Sequence, residues 1–544
     1  MSRAATMRVG RGADARSGSA RPGRETGATR RTWWVAGLAF VAFFVMSASW
    51  ALSSPISASP DEPAHFVKAA SVVRGQLVGD ATDSPPVKEV EVPAGVAYSS
   101  DAACFAFAPD VTADCAPGYP TADEADDIVE DTTSAGLYNP VYYALVGWPS
   151  LVLEGKGALF GMRLASALLC AVFFALGIAA LSRLPRPLLP TIAGIAGIVP
   201  TLWFLSGSVN PNALETVVAL AFAATYFVVL LDESVRRPRG GFVVAMGVSG
   251  ALLVHIRGLS PLWLGLIVVI GLVLVGFSRW LELIRTPRVI AAVAGIAVSL
   301  ALALVWAVRT NSLPSVGMFP GQGTTFVGGV AKMLEKTVDF AVGMIGSLGW
   351  LDTPSPSYAT YAFLVGAAVI VLVPLLVPGP RGPRAALALA LALFVLVPPV
   401  VQGSTVTESG YVWQGRYNLP LFLVLVVTAA VVVAPSAARL SPIVARRLVV
   451  LAVVAAPLGV VASQLTFLKR NAIGLNASWI ALFRDPAWHP PGASAALWML
   501  VIVAAGAVLL VCSALVVRLV SAAPRPESPE QGIAPRGRRE AVSS

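Results

Sequence analysis

Charged residues are scarce in this chain, and histidine and cysteine are scarcer still. Only 13% of its 544 residues are Asp, Glu, Lys or Arg, against about 25% in an average soluble domain. With 56% of the residues hydrophobic, that shortage excludes a water-soluble globule, which could not cover so much apolar surface. Three histidines and four cysteines, in no cluster of metal-ligand spacing, exclude the usual structural zinc sites. A GxxxxGK[ST] loop and a strand-linked GxGxxG turn are both missing, and no soluble segment is large enough for a nucleotide-sugar domain. Alternation of apolar with polar residues is missing too: LALALALFVLV and LLVCSALVVRLV lack the pattern of an outer-membrane barrel.

What the chain has instead is a series of apolar runs near 20 residues, long enough to cross about 30 Å of hydrocarbon as helix. They predict an all-α, polytopic integral membrane protein of about twelve spans: 33–52, 158–182, 189–207, 212–231, 240–257, 260–277, 289–308, 358–378, 385–402, 416–434, 448–467 and 494–520. Residues 1–31 and 521–544, rich in Arg, Gly, Ser and Pro, read as disordered tails around a transmembrane domain spanning 32–520. No internal repeat of the transporter kind is visible.

The net charge of +9 does not predict a nucleic-acid partner, because the basic residues sit in the tails and short connections. With the N-terminus in the cytoplasm, 26 of the 39 Lys and Arg fall inside and 22 of the 30 acids outside. That is the positive-inside bias of a multi-pass bacterial inner-membrane protein with both termini cytoplasmic. The first helix, preceded by eight Arg and two acids, is expected to be retained. The loop 53–135, with 15 acids against three Lys and Arg, reads as an extracytoplasmic cap. It holds Cys104 and Cys115, which on the oxidising side are expected to form a disulfide. Cys170 and Cys512 fall in apolar spans as small buried hydrophobes. Two further outer segments, 137–155 and VAKMLEKTVDFAVGMIGSLGWL within 309–357, are expected to lie at the interface without crossing.

Chemistry concentrates in SASPDEPAHFVKAASVVRGQ, just outside the first span. On a helix starting there, Asp61 and His65 are four apart, Glu62 and His65 three, and His65 and Lys68 three, so all share one face. A carboxylate so placed is able to take a proton from a hydroxyl, or the two acids to ligate a divalent cation together. The alternative is that they only cap the helix and favour its dipole. In WQGRYNLPLF, Arg416 at a membrane boundary beside Tyr417 offers a planar fork for a phosphate, or else snorkels to the interface. In HIRG, His255 and Arg257 either bind phosphate or mark a helix end. In SVNPNALE, Asn210 and Asn212 either satisfy Glu215 or contact sugar hydroxyls. Asp352 in GWLDTPSPSY reads first as a turn opener, or else as an outer-loop acid poised over the site to contact acceptor or sugar, as Glu215 is also placed to do. Lys469, Arg470 and His489 read as surface charges.

Five segments in order, PDEPAHFVKAASVVRGQ, LYNPVYYAL, SVNPNALE, SLGWLDTPSPSY and WQGRYNLPLF, resemble the bacterial membrane-protein family called domain of unknown function 2142. That family is grouped with the C-type (GT-C) glycosyltransferase superfold, in which an acidic motif lies in the first outer loop. The resemblance implies a polyprenyl-phosphate-linked sugar as donor, a glycan, lipid or protein as acceptor, and membrane lipids as surroundings. It places Asp61 or Glu62 at the catalytic acid and favours phosphate binding at Arg416; from their positions His65, Lys68, Arg257 and Tyr417 are expected to help hold that phosphate. No cofactor is implied beyond the cation that paired carboxylates are able to hold. The rival from another class is a transporter or flippase of lipid-linked glycans, which predicts paired charges deep within several spans. A third is an assembly partner without chemistry of its own.

Overall fold

The computed structural model describes residues 22–84, 86–232, 240–312, 319–437 and 441–522. The expected tails lie outside these residues except at 22–31, where the first helix, Pro22–Ser53, has already begun, and at 521–522. Nine described helices are long and apolar enough to cross a membrane, or up to eleven if two bent pairs each count as one span. All twelve expected stretches are helical, so the lower number comes from how three of them are built. Leu188–Ala196 and Pro200–Ser206 meet at 68°, where Pro200 opens a new helix without donating an amide to the old one. Ser260–Val275 and Phe277–Ile284 meet at 118° because Gly276 adopts φ +84°, a conformation open to glycine at no steric cost. The stretch 240–257 is helical only over the 14 residues Gly240–Leu253.

Pro211–Leu231 forms the centre, with 94% of its apolar window buried, whereas Pro287–Thr310 is 11% buried and faces outward. Aromatic rings fill the space around the first helix: Phe43 lies 4.7 Å from Phe174 and 4.6 Å from Trp203, and Trp50 packs on Phe204 and Phe467. Such rings supply dispersion contacts where lipid tails leave no hydrophobic driving force between helices.

The connections sort to two ends, as the charge bias predicts. At one end Arg279 donates to the Asp232 carbonyl and Gly240 lies against Arg288. At the other, Trp350 donates to the Ser57 carbonyl at 2.9 Å and Asn139 bonds His255 at 3.2 Å. This second end carries the cap, and the cap contains structure that hydropathy does not reveal. Strands β1 (Asp80–Ala81), β2 (Lys88–Pro93) and β3 (Ile128–Thr133) form an antiparallel sheet with Val90 opposite Asp131. Val90 and Val92 point inward while Glu91 is exposed, the two-residue period of a half-buried strand. Cys104 and Cys115 are joined in a disulfide, and Cys170 and Cys512 are free and buried. The segment 137–155 forms the short helix Pro140–Gly147 and a turn Trp148–Leu151, and 326–346 forms two ten-residue helices. None of these is long enough to cross.

Candidate functional site

Asp61 precedes the helix Glu62–Val73 and takes the left-handed conformation, φ 65° and ψ −1°, with no capping bond from its side chain. Asp tolerates this region better than most residues, at a cost of about 1–2 kcal/mol. The twist removes Asp61 from the capping task and swings its carboxylate toward the tenth predicted span. There it accepts from Nη2 of Arg416 at 2.5 Å while its side chain remains 49% exposed. The anionic turn and the guanidinium, 355 residues apart in sequence, therefore meet in one ion pair.

Arg416 lies in the turn Gly415–Asn418 and is 3% exposed. Its Nε and Nη1 are buried without a hydrogen-bond partner, a costly condition for a cation. Arg163 makes an instructive contrast. Its five N–H donors meet five acceptors: both Glu62 oxygens, at 2.8 and 2.6 Å, and the carbonyls of Ala51, Ser54 and Pro55. Arg163 is thereby satisfied within the scaffold, whereas Arg416 has capacity to spare.

The ring of Tyr417 holds the second cation in place. The Arg257 guanidinium lies 4.7 Å from its centroid and that of Arg416 5.4 Å, both within cation–π range. Arg257 also donates to Asn212 Oδ1 and pairs with Glu215 at 3.6 Å, and Ser260 donates to Glu215 at 2.6 Å. Asn210 caps Pro211–Leu231 and donates to the Pro60 carbonyl at 3.1 Å. The two asparagines and Glu215 thus position the acid and Arg257. His65 is buried, bonded through Nδ1 to the Tyr143 hydroxyl at 2.9 Å. Burial, joined by the Arg257 and Arg416 charges, lowers its pKa to about 3 against the pull of Asp61, so the imidazole is neutral.

Several expected site residues turn away. Glu62 is fully buried, and besides Arg163 it accepts from the Val209 amide at 3.0 Å, three bonds that bind both of its oxygens into the scaffold, away from a substrate proton or a shared cation. Lys68 is buried and donates to the carbonyls of Leu77 and Gly136 at 2.5 and 2.6 Å. It ties its helix to the cap instead of reaching a phosphate, and burial lowers its pKa to about 7. Asp352 accepts from Arg470 at 2.9 Å, a structural role. Arg470 itself is not a surface charge: it is buried and donates to the carbonyls of Phe105, Ala108 and Val111 inside the disulfide loop. Lys469 is buried as well, while His489 is exposed. Among the described residues no three His, Cys, Asp or Glu side chains are grouped to hold a metal. Arg163 was missed, although an arginine at the sixth position of the apolar run 158–182 is itself a signal of an obligatory partner.

Burial raises the Asp61 pKa, but the Arg416 and Arg257 charges and the Arg416 hydrogen bond outweigh it and hold the carboxyl below its ordinary 3.8. The folded value lies below the unfolded one, so the stabilisation is present above pH 3.8 and is lost as pH falls through the lowered value. The difference in thermal unfolding between wild type and Asp61→Asn in detergent is therefore expected to stay constant from about pH 5 to 8. A difference that shrinks within that window would contradict an ionised Asp61.

Fold and site together define the class: a polytopic all-α membrane protein with a half-open carboxylate facing two arginines at one end of its bundle. Residues 43–426 match the family described as predicted membrane protein (DUF2142). The chain belongs to that family. No curated protein matches it. Two crystal structures of ArnT from Cupriavidus metallidurans, one bound to undecaprenyl phosphate and one in the apo state, are similar at 15% identity and TM-scores of 0.46 and 0.45. Each alignment covers 90% of this chain and 78% of that one, a likeness that transfers no residue assignment.

Proposed function

We propose that the protein is a GT-C-type membrane glycosyltransferase that moves a sugar from a polyprenyl-phosphate donor to an acceptor hydroxyl in cell-envelope glycan assembly. The cap end then faces the extracytoplasmic side of the bacterial inner membrane and both termini face the cytoplasm, as the basic connections at the opposite end favour. The observation that carries the reading is Asp61, half open and held in a strained conformation, against an arginine with two unpartnered nitrogens. Strain at such a residue persists only where its surroundings impose it, and it gathers at functional sites.

In the proposed reaction the acceptor oxygen attacks the anomeric carbon while the bond from that carbon to the phosphate oxygen breaks. Asp61 takes the hydroxyl proton. The phosphate leaves with the bonding electrons, and its charge is held by Arg416 and Arg257. One displacement inverts the anomeric configuration.

The test measures radiolabelled sugar transfer from polyprenyl-phosphate donors in membranes containing the full chain. Arg416→Ala is expected to reduce transfer by about 10²–10³-fold, the scale seen when a donor to a developing anion is removed. Translocation of the lipid-linked sugar that depends on Arg416, with no covalent product formed, would replace this reading with the flippase.

A further inference from the structure

The segment that delivers Arg416 to the site has little regular structure of its own. Residues 410–414 run as an extended strap between the helices Arg381–Ser409 and Leu419–Ala437. Its amides must be satisfied from outside: those of Gly410 and Tyr411 donate to the carbonyls of Val406 and Pro320, and the next two turn to one side chain. Gln402, 1% exposed and on the preceding helix, accepts at Oε1 from the amides of Val412 at 2.9 Å and Trp413 at 2.7 Å. Its Nε2 donates to the Gly410 carbonyl at 2.9 Å. Two backbone N–H donors on one side-chain atom fix that atom as the oxygen, so the amide has one orientation. The far end of the strap is held sterically. A Cβ at Gly415 would lie 2.5 Å from both the Phe340 carbonyl oxygen and the Met344 nitrogen, so the backbone abuts Thr337–Gly346 with no slack. Trp413 also donates from its ring to Asn418 Oδ1 at 3.1 Å, bracing the turn that contains Arg416.

We infer that Gln402 is a positioning residue for Arg416: by fixing the strap it sets where the guanidinium meets the phosphate of a lipid-linked donor. The inference rests on the glycosyltransferase reading and adds to it a residue that touches no substrate. Apolar replacement leaves two buried amides and a carbonyl unpaired, so the strap relaxes and the arginine loses its place. A glutamate keeps the two acceptor contacts and loses the donor.

The experiment uses the full chain in detergent or nanodiscs and compares wild type, Gln402→Leu, Gln402→Glu and Arg416→Ala. Hydrogen exchange over peptides covering 410–417 is expected to quicken by at least about tenfold in Gln402→Leu, as two protecting bonds are lost. The KM for a polyprenyl-phosphate sugar is expected to rise by about tenfold while the acceptor KM is unchanged, and Gln402→Glu is expected to fall between Gln402→Leu and wild type. Exchange that quickens with the donor KM unmoved overturns the inference, as does exchange that stays slow. If Gln402→Leu fails to fold, Gln402→Glu carries the same comparison. Arg416→Ala separates the two failures. Donor binding lost in Arg416→Ala but intact in the Gln402 variants rejects this positioning role alone, whereas donor binding intact in Arg416→Ala rejects the phosphate reading and this inference with it.

Discussion

Asp61→Asn is expected to lower sugar transfer by about 10²–10⁴-fold, the range of one general base, without unfolding the protein. Asparagine occupies the same volume, populates the left-handed region as readily as aspartate, and keeps an oxygen able to accept from Arg416, to which Asp61 is bonded. What it lacks is the capacity to take a proton. Asp61→Ala is less informative, because it also strains the backbone by about 1–2 kcal/mol and removes the partner of Arg416. Transfer rates in membranes with equal amounts of each variant decide the matter. An Asn variant that transfers at the wild-type rate rules Asp61 out as the base.

Arg163→Ala and Glu62→Gln are expected to act on stability. Breaking a buried ion pair by removing one partner costs about 3–5 kcal/mol, because the other charge stays buried without its counter-ion. Here the loss is compounded, since Arg163 also gathers three carbonyls from the end of the first helix and the turn after it. The expected result is a lower thermal unfolding midpoint in detergent for both variants. Whatever folded fraction remains should keep the donor KM of wild type. An unchanged midpoint together with abolished transfer would instead return Glu62 to the reaction.

Hydropathy made the spans legible because the free-energy cost of placing polar groups in lipid leaves so little freedom in composition. It misjudged lengths where one residue decides. The apolar run 189–207 reads as one span, yet Pro200 opens a second helix at 68° to the first. The meeting of an acid of the Asp61–Glu62 pair with Arg416 was also readable, since charges at the same membrane boundary need partners. Choosing between Asp61 and Glu62 was not. They are adjacent on one predicted turn, and only the left-handed twist at Asp61 sends one carboxylate to Arg416 and the other to Arg163 in the scaffold. Arg470 was misread for a related reason. Its partners are carbonyls of a loop more than 350 residues away in sequence, and backbone acceptors leave no trace in composition. Gln402 was invisible on the same ground.

The central helix Pro211–Leu231 carries the Pro60 turn on Asn210 and Arg257 on Asn212 and Glu215. Acid and second arginine therefore ride on one mount, and displacements of that helix carry them as a rigid unit. Arg416 comes from the other side, on its strap, yet the Tyr417 ring beside it also backs Arg257. The two cations are therefore geared to each other through one aromatic face, and a shift of the strap disturbs both.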